Sequence, residues 1–572
     1  MHLIATPAAI LCLLLGAHAS PLAQPLGAPT TFANAQLPSQ WKQGGTVASD
    51  TSIKMSIGLK QGDMAGLQAK LLDVSNPSSR NYGKWLSKDE LNSYTKPSEQ
   101  TLQLVKQWLF SHGLHDADIS QTTPDWIELT IPVGKAEEML NAQYSYFTDK
   151  SDKTAIGTLN YSLPSLLHQH IDVIQPTTAF HSTQNKAPKG APSTFTSSAD
   201  ACANGVTAAC ITSAYNVDYV GSGKSSLAVT GMIGFSASHS DAKTYLSEYF
   251  PKGKGTDFKD KAIGPNVHPN DPSNPVLEGN LDTQIALSVG YPDPVTYLAV
   301  GPNDNNMQFG DELIALGQYL NSADQPPLSI SSSYLGNEPE FDSDYKTRIC
   351  NEFMKAGSRG ISVFFCSGDY GVNGLDYENY CSNGFTPAFP ASCPWVTAVG
   401  STEFANGGEK SAEFYYIKNG TSGGGFSWFY DAPNYQTNDT QAYVKSLSGK
   451  FKGQYAPGGR GIPDVSLVGK NYKIILNNQH YTAEGTSASS PAWASLISQI
   501  NDYRQSIGKS SLGFINPALY QNKAVRAALR DVTAGANKGC GGDAFPAKAG
   551  WDAATGLGSM DFAALRKALG AL

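Results

Sequence analysis

Apolar spacing divides the chain into two stretches with different rhythms. In the first, Ile53, Met55, Ile57 and Leu59 alternate with polar neighbours, the period of a half-buried strand. Asp63 then opens a helical segment through Leu67, Leu71 and Leu72, and residues 102–110 spell a second amphipathic helix. Residues 126–131 read as another strand, followed by a helix carrying Ala136, Met139 and Leu140. Strands alternating with helices predict a compact α/β unit here. From residue 226 onward, the runs 227–235, 295–300, 327–333 and 360–366 read as strands, with helical stretches such as 310–316 between them. That alternation predicts a parallel sheet with helices on both faces. Residues 184–193 are polar, proline-bearing and without apolar periodicity, a linker suited to proteolytic nicking.

The chemistry is concentrated in the second stretch. Leu277, Leu281 and Ile285 recur every four residues, a helical stripe, and Glu278 and Asp282 share that spacing. One helix face therefore presents two carboxyl groups at neighbouring heights. Two acids held close cannot both ionise cheaply, so the pair keeps a proton in acid. Such a pair can take a proton from a hydroxyl and return it to a leaving amine. Gly485-Thr486-Ser487-Ala488-Ser489-Ser490-Pro491 offers the hydroxyl: a small-residue turn running into a helical segment at 492–497. A serine there stands clear of its backbone, near unpaired amides and a helix dipole that favour negative charge.

A nucleophile also needs a base within reach. Of the ten histidines, only His239, His268 and His480 lie beyond residue 195, and none sits in a His-Gly-Thr-His type segment. Carboxylate is the better candidate. A third acid, Asp369, falls in Ser367-Gly368-Asp369-Tyr370-Gly371, at the C-terminal edge of the strand read at 360–366. Open α/β folds place their sites at that edge. Protonated, Asp369 can donate a hydrogen bond to an oxyanion.

Together these motifs resemble those of the sedolisins, the serine-carboxyl peptidases. The family's Glu-x-x-x-Asp helix matches Glu278 and Asp282, its Ser-Gly-Asp turn matches Ser367-Gly368-Asp369, and its Gly-Thr-Ser motif matches Gly485-Thr486-Ser487, in the same order. The resemblance implies a subtilisin-like parallel sheet with helices on both faces, preceded by an α/β, ferredoxin-like pro-domain. It implies Ser487 as nucleophile, Glu278 as general base and acid, Asp282 as its orienting partner and Asp369 as oxyanion stabiliser. The expected activity is a secreted, acid-acting peptidase forming an acyl-enzyme and releasing tripeptides from free N-termini. The alternatives are an endopeptidase of the same family and a non-catalytic peptide-binding relative. A histidine-based subtilisin mechanism stands further off and predicts activity near neutral pH.

Tyr82-Gly83-Lys84-Trp85-Leu86 resembles the family's pro-domain signature. Residues 20–195 are accordingly expected to be an inhibitory pro-domain with linker, and residues 196–572 the catalytic domain. Residues 329–334 resemble the strand that pairs with extended substrate, and residues 460–466 match a family pattern assigned to scaffold. The resemblance places one structural calcium ion on the Asp531 and Asp552 side chains and the carbonyls of Val532, Lys548 and Gly550. Calcium takes six to eight oxygens from such loops. Lys548 departs from the glycine common at its position, and an ammonium nearby can weaken binding. Asp and Gly also dominate turns that hold no ion.

The short apolar run at 10–15 and the Ala17-His18-Ala19 site read as a signal peptide over residues 1–19, with an unusually weak positive n-region. No later stretch approaches the about 18 uninterrupted apolar residues of a membrane span. Of eight cysteines, Cys12 leaves with the signal peptide and seven remain, an odd number for an exported chain. Cys202 and Cys210 can close a short loop, and Cys366 is the choice for the free thiol. Cys381 with Cys540 and Cys350 with Cys393 are the remaining pairings, the first of these favoured by the family analogy and the rest open. N-x-Ser/Thr acceptors stand at Asn160, Asn419 and Asn438. With 41 Lys+Arg against 49 Asp+Glu and no basic tract, nucleic acid is not an expected partner. A charged fraction of only 16% limits self-repulsion when carboxyls protonate, which suits an acidic medium. The expected partners are peptide or protein substrates and the chain's own pro-domain, with no membrane, and the expected state is a monomer.

Overall fold

The computed structural model describes residues 25–38, 40–150, 154–180, 190–192, 202, 204–264, 267–271, 276–301, 309–375, 384–405 and 408–572. The signal segment, Cys12 and Cys381 therefore lie outside the described residues. In the first unit the alternating run forms β1 (Ser52–Leu59), whose inward residues Met55, Ile57 and Leu59 are fully buried. Asp63 caps α1 (Met64–Ser75), its carboxylate accepting the Gly66 amide at 2.8 Å. There follow α2 (Glu99–Ser111), β2 (Trp126–Pro132), α3 (Val133–Leu140) and β3 (Ile171–Gln175). The sheet is antiparallel in the order β2-β1-β3. This is the expected ferredoxin-like layout with its outer edge reduced: beyond β2 only an isolated bridge, Ser120 to Glu128, takes the place of a fourth strand.

The second unit is built on an eight-stranded sheet. Its strands are β4 (Leu227–Gly231), β5 (Lys259–Ile263), β6 (Val295–Val300), β7 (Ser329–Ser332), β8 (Ser362–Cys366), β9 (Thr397–Ala405), β10 (Gly408–Ser411) and β11 (Val465–Val468). The order is β5-β6-β4-β7-β8-β9-β10, with β11 also on β9; every pairing is parallel except β9 with β10. Strand β4 stops short of the apolar run that predicts it. Ile233 turns with φ 50°, and its amide goes to the Glu312 carboxylate at 3.1 Å. Four helices position the site and join the units: α4 (Leu277–Val289), α5 (Phe309–Ser322), α6 (Ser343–Ser358) and α7 (Thr486–Ser506). Both α4 and α7 are buried almost all round, so they run as central helices rather than surface ones.

Helix α7 begins at Thr486, earlier than the spacing predicts, and carries Pro491 inside it. Proline has no N–H for the carbonyl four residues back, which is that of Ser487. The Ser333 hydroxyl fills the gap, lying 3.3 Å from the Ser487 carbonyl oxygen. Arg460 and Asp464 form a fully buried pair, with the Arg460 Nη1 2.8 Å from Asp464 Oδ1, in keeping with a scaffold role.

The two units are joined by side chains. The Trp85 indole N–H donates to the Ser511 carbonyl at 3.0 Å, and its ring fills space left by Gly360 and Gly513, where a Cβ would come within 2.5 Å of it. Within the expected linker, Gly190–Pro192 adds as a third strand beside the hairpin Tyr472–Leu476 and Gln479–Ala483. A Cβ on Gly190 would meet the Thr482 carbonyl at 2.2 Å, so glycine permits this approach. Disulfides join Cys202 to Cys210 and Cys350 to Cys393, and Cys366 is free and buried, as expected. Cys540 is also disulfide-bonded. Asn160, Asn419 and Asn438 are exposed. Among the described residues no helix is long and apolar enough to cross a membrane.

Candidate active site

Helix α7 starts from Gly485 at φ 144°, a conformation that L side chains rarely adopt. The turn brings Thr486 against Asp369 at the end of β8. The Thr486 amide donates to Asp369 Oδ1 at 2.7 Å and its hydroxyl lies 2.8 Å from the same oxygen. That hydroxyl in turn accepts the Gly368 amide at 3.1 Å. Asp369 is thus buried and pinned in place by the residue that precedes Ser487. Ser487 is the second residue of α7, at the positive end of the helix dipole.

On the other side lies α4. The Ser487 hydroxyl is close enough to the Glu278 carboxyl to favour its ionised form. Ser333, just past β7, holds Asp282 through a 3.0 Å contact between its Oγ and Asp282 Oδ1. Glu278 and Asp282 are both buried, and burial pushes both carboxyls well above their usual range. For Glu278 the charges of Asp282 and Asp369 add to that rise, while the nearby hydroxyls of Ser487 and Ser333 oppose it. Glu278 Oε1 and Asp282 Oδ2 are buried without a partner of their own among the described residues. An acceptor oxygen in that state calls for a donor, and a proton retained by the pair supplies one. The site therefore brings together a hydroxyl, an acid pair that keeps a proton, and a third carboxyl, all buried.

The structure brings together all four acid and serine residues named from the sequence. Ser333 and Thr486 lie in segments that the resemblance picks out, but their contacts with Asp282 and Asp369 are tertiary and could not be read from the sequence. Two of the three histidines beyond residue 195 are engaged elsewhere. His239 lies between Asp257 and Asp260 at 2.8 Å from each, and His480 contacts the Tyr249 hydroxyl at 2.8 Å.

The expected calcium ligands also converge. The Gly550 amide donates to Asp531 Oδ2 at 2.7 Å, and the Lys548 amide to Asp552 Oδ2 at 2.8 Å. The Thr555 hydroxyl spans the Val532 carbonyl and Asp552, at 3.2 Å from each. Burial pushes the Asp552 carboxyl up to about 7, and its bonded neighbours are amides and a hydroxyl rather than a cationic side chain. The Lys548 ammonium points away, to the Ser446 carbonyl at 2.8 Å. Among the described residues no group of three or more His, Cys, Asp and Glu could hold a metal. Carbonyl oxygens would have to complete any shell. Such a donor set, all hard oxygens with an uncompensated buried carboxyl, fits a calcium-like ion.

Comparison with known proteins agrees with this geometry. Residues 39–180 match the family model described as the Pro-kumamolisin activation domain. The chain is 33% identical over 574 residues to the probable tripeptidyl-peptidase SED3 of Trichophyton verrucosum, covering 93% of this chain and 94% of that protein. It is 31% identical over 578 residues to the tripeptidyl-peptidase SED3 of Arthroderma otae, covering 93% of each. Among solved structures, a Pseudomonas sedolisin, a serine-carboxyl proteinase, matches with a TM-score of 0.50 at 21% identity, over 62% of this chain and 95% of that one. The activation domain lies in the first unit and the subtilisin-like α/β fold in the second, and the chain belongs to the sedolisin family of serine-carboxyl peptidases.

Proposed function

We propose that this peptidase is a secreted enzyme acting in acid through Ser487, Glu278, Asp282 and Asp369, and that it releases tripeptides from free N-termini. The observation that carries the chemistry is the convergence of Ser487, at the start of α7, on the buried acids of α4, with the Ser333 hydroxyl touching both Asp282 Oδ1 at 3.0 Å and the Ser487 carbonyl at 3.3 Å. Ser487 Oγ attacks the scissile carbonyl carbon while its proton passes to Glu278, which Asp282 orients. The carbonyl oxygen becomes an oxyanion and takes a hydrogen bond from protonated Asp369. Collapse breaks the C–N bond, and the proton on Glu278 goes to the leaving amine. Water then repeats the sequence on the acyl-enzyme and frees Ser487. The names of the relatives, tripeptidyl-peptidases, support the exopeptidase reading. The segment before residue 20 supports export, and the activation-domain match supports an N-terminal unit that holds the enzyme latent.

The test is mass analysis of the products from paired peptides, one with a free N-terminus and one blocked, at acid pH. Tripeptides from the free peptide alone are expected; cleavage of the blocked peptide makes the enzyme an endopeptidase. Ser487→Ala should lower activity by about 10⁴-fold or more and stop self-processing; residual turnover near the parent's would move the chemistry elsewhere. Calcium at the Asp531–Asp552 loops would hold the C-terminal segment together. Adding a chelator to Ser487→Ala protein should then lower its melting temperature, and Asp552→Asn should abolish that response. A melting curve indifferent to chelator rules calcium out of these loops.

A further inference from the structure

Glu484, next to the Gly485 turn, takes no part in the chemistry above, yet it is fully buried. Its Oε1 accepts the Tyr416 amide, and its Oε2 is buried with no partner among the described residues. A buried carboxyl oxygen left without a donor is costly, and its retention calls for an explanation. The neighbouring geometry points to one. A Cβ on Gly485 would stand 3.1 Å from Asp369 Oδ2, so the chain at Glu484 passes directly beside the third acid of the site. The two carboxyls repel each other electrostatically.

We propose that Glu484 is a positioning residue for the oxyanion acid: anchored on the Tyr416 amide, its anion opposes proton loss from Asp369 and keeps that hydrogen-bond donor in place as the pH rises. The inference rests on the oxyanion role of Asp369 put forward under Proposed function.

Two carboxyls in one buried space release protons in two steps, and the one whose anion is better supported goes first. The Glu484 anion has the amides of Tyr415 and Tyr416 and the ammonium of Lys470 in its favour. Lys470 also pairs with Glu403. Asp369 has the Thr486 amide and hydroxyl in its favour, but Glu278 and Glu484 both face it with like charge, and the Cys366 thiol is close enough to feel its charge. Burial, joined by the charge of Asp369, raises the Glu484 carboxyl, so it too titrates above the ordinary carboxyl range. Its charge therefore develops as the medium leaves the acid range, which is where Asp369 needs it.

The experiment is the pH profile of kcat/KM for the enzyme matured from the full-length chain, on a fluorogenic peptide with a free N-terminus. Glu484→Gln keeps an acceptor for the Tyr416 amide and removes the charge. Its alkaline limb should move down by about one pH unit, about tenfold in rate at a pH on the parent's limb. Glu484→Ser, smaller and also neutral, should move it the same way and serves if the glutamine variant does not fold. Glu484→Asp keeps the charge and should leave the limb near the parent's position. Neutral variants whose limb coincides with the parent's overturn the proposal, as does an aspartate variant that shifts as far as they do. Asp369→Asn measured alongside separates the two levels. An Asp369→Asn enzyme as fast as the parent removes the oxyanion reading itself, whereas an inactive one beside an unshifted Glu484→Gln removes only the role of Glu484.

Discussion

The Ser333 hydroxyl lies 3.0 Å from Asp282 Oδ1 and 3.3 Å from the carbonyl that Pro491 leaves without an amide. Its hydrogen bonds favour the ionised carboxyls and so work against the burial that raises Glu278 and Asp282. In Ser333→Ala that opposition is gone, and both acids keep their protons to higher pH. The base needed for attack on the substrate is then available only at higher pH. The acid limb of kcat/KM should move upward by about half to one pH unit. A lower rate with an unmoved limb would mean that Ser333 only caps the carbonyl. Glu278, Asp282, Asp369 and Ser487 were legible in the sequence because helical spacing and glycine turns are local signals. Ser333 was not, since its two contacts bridge sequence separations of 51 and 154 residues.

At the level of elements, α4 and α7 are tied at a second place, away from Ser487. Asp293, just beyond the end of α4, accepts the Ser498 hydroxyl of α7 at 2.6 Å. Burial pushes its carboxyl up to about 7, opposed by Ser498, with the charge of Asp502 adding to the rise. An acid raised in the folded state keeps its proton while the unfolded chain has lost its own. Stability therefore falls as pH climbs from about 4, the ordinary aspartate value, to about 7, and the loss is complete above that. Asp293→Asn keeps an acceptor for Ser498 without the titration. In a Ser487→Ala background, which prevents autolysis, it should melt about 2–4 °C higher than its parent at pH 7 and close to it at pH 4. Equal melting temperatures at both pH values would place the pH sensitivity of the fold elsewhere. The spacing marked both helices and the strands β4, β6, β7 and β8, missed the others of the sheet, and misplaced the start of α7. Pro491 reads as a boundary in sequence, and only the Ser333 hydroxyl lets the longer helix run through it.

Across the whole molecule, the first unit is clamped to the second by charges whose pairing has no local signal. Arg348 of α6 is buried beneath the Trp126 ring, 4.4 Å from its centre, and reaches the Leu59 carbonyl at 2.9 Å, Asp125 at 2.8 Å and Asp172 at 3.2 Å. Lys355 adds a 3.0 Å contact to Asp125, and Glu352 accepts the Trp126 indole N–H at 3.0 Å. Asp125 and Arg348 stand 223 residues apart, and a charged residue on an amphipathic helix ordinarily reads as solvated surface. Trp85, by contrast, was legible through its motif. Burial alone would raise the Asp125 carboxyl, but Lys355, Arg348 and Gln61 overcome it and hold it far below the usual range. A depressed carboxyl contributes stability above its unfolded value and loses it only as pH falls toward the folded one. Mild acid therefore leaves Asp125 charged and this clamp intact. Arg348→Met removes one partner and leaves Asp125 buried with less compensation, a change that costs about 3–5 kcal/mol in comparable buried pairs. The variant's peptidase activity should then emerge at a higher pH than the parent's when samples are stepped from neutral to acid and followed over time. An unchanged activation threshold would mean that Trp85 and the strand at Gly190–Pro192, not the charges, keep the first unit in place.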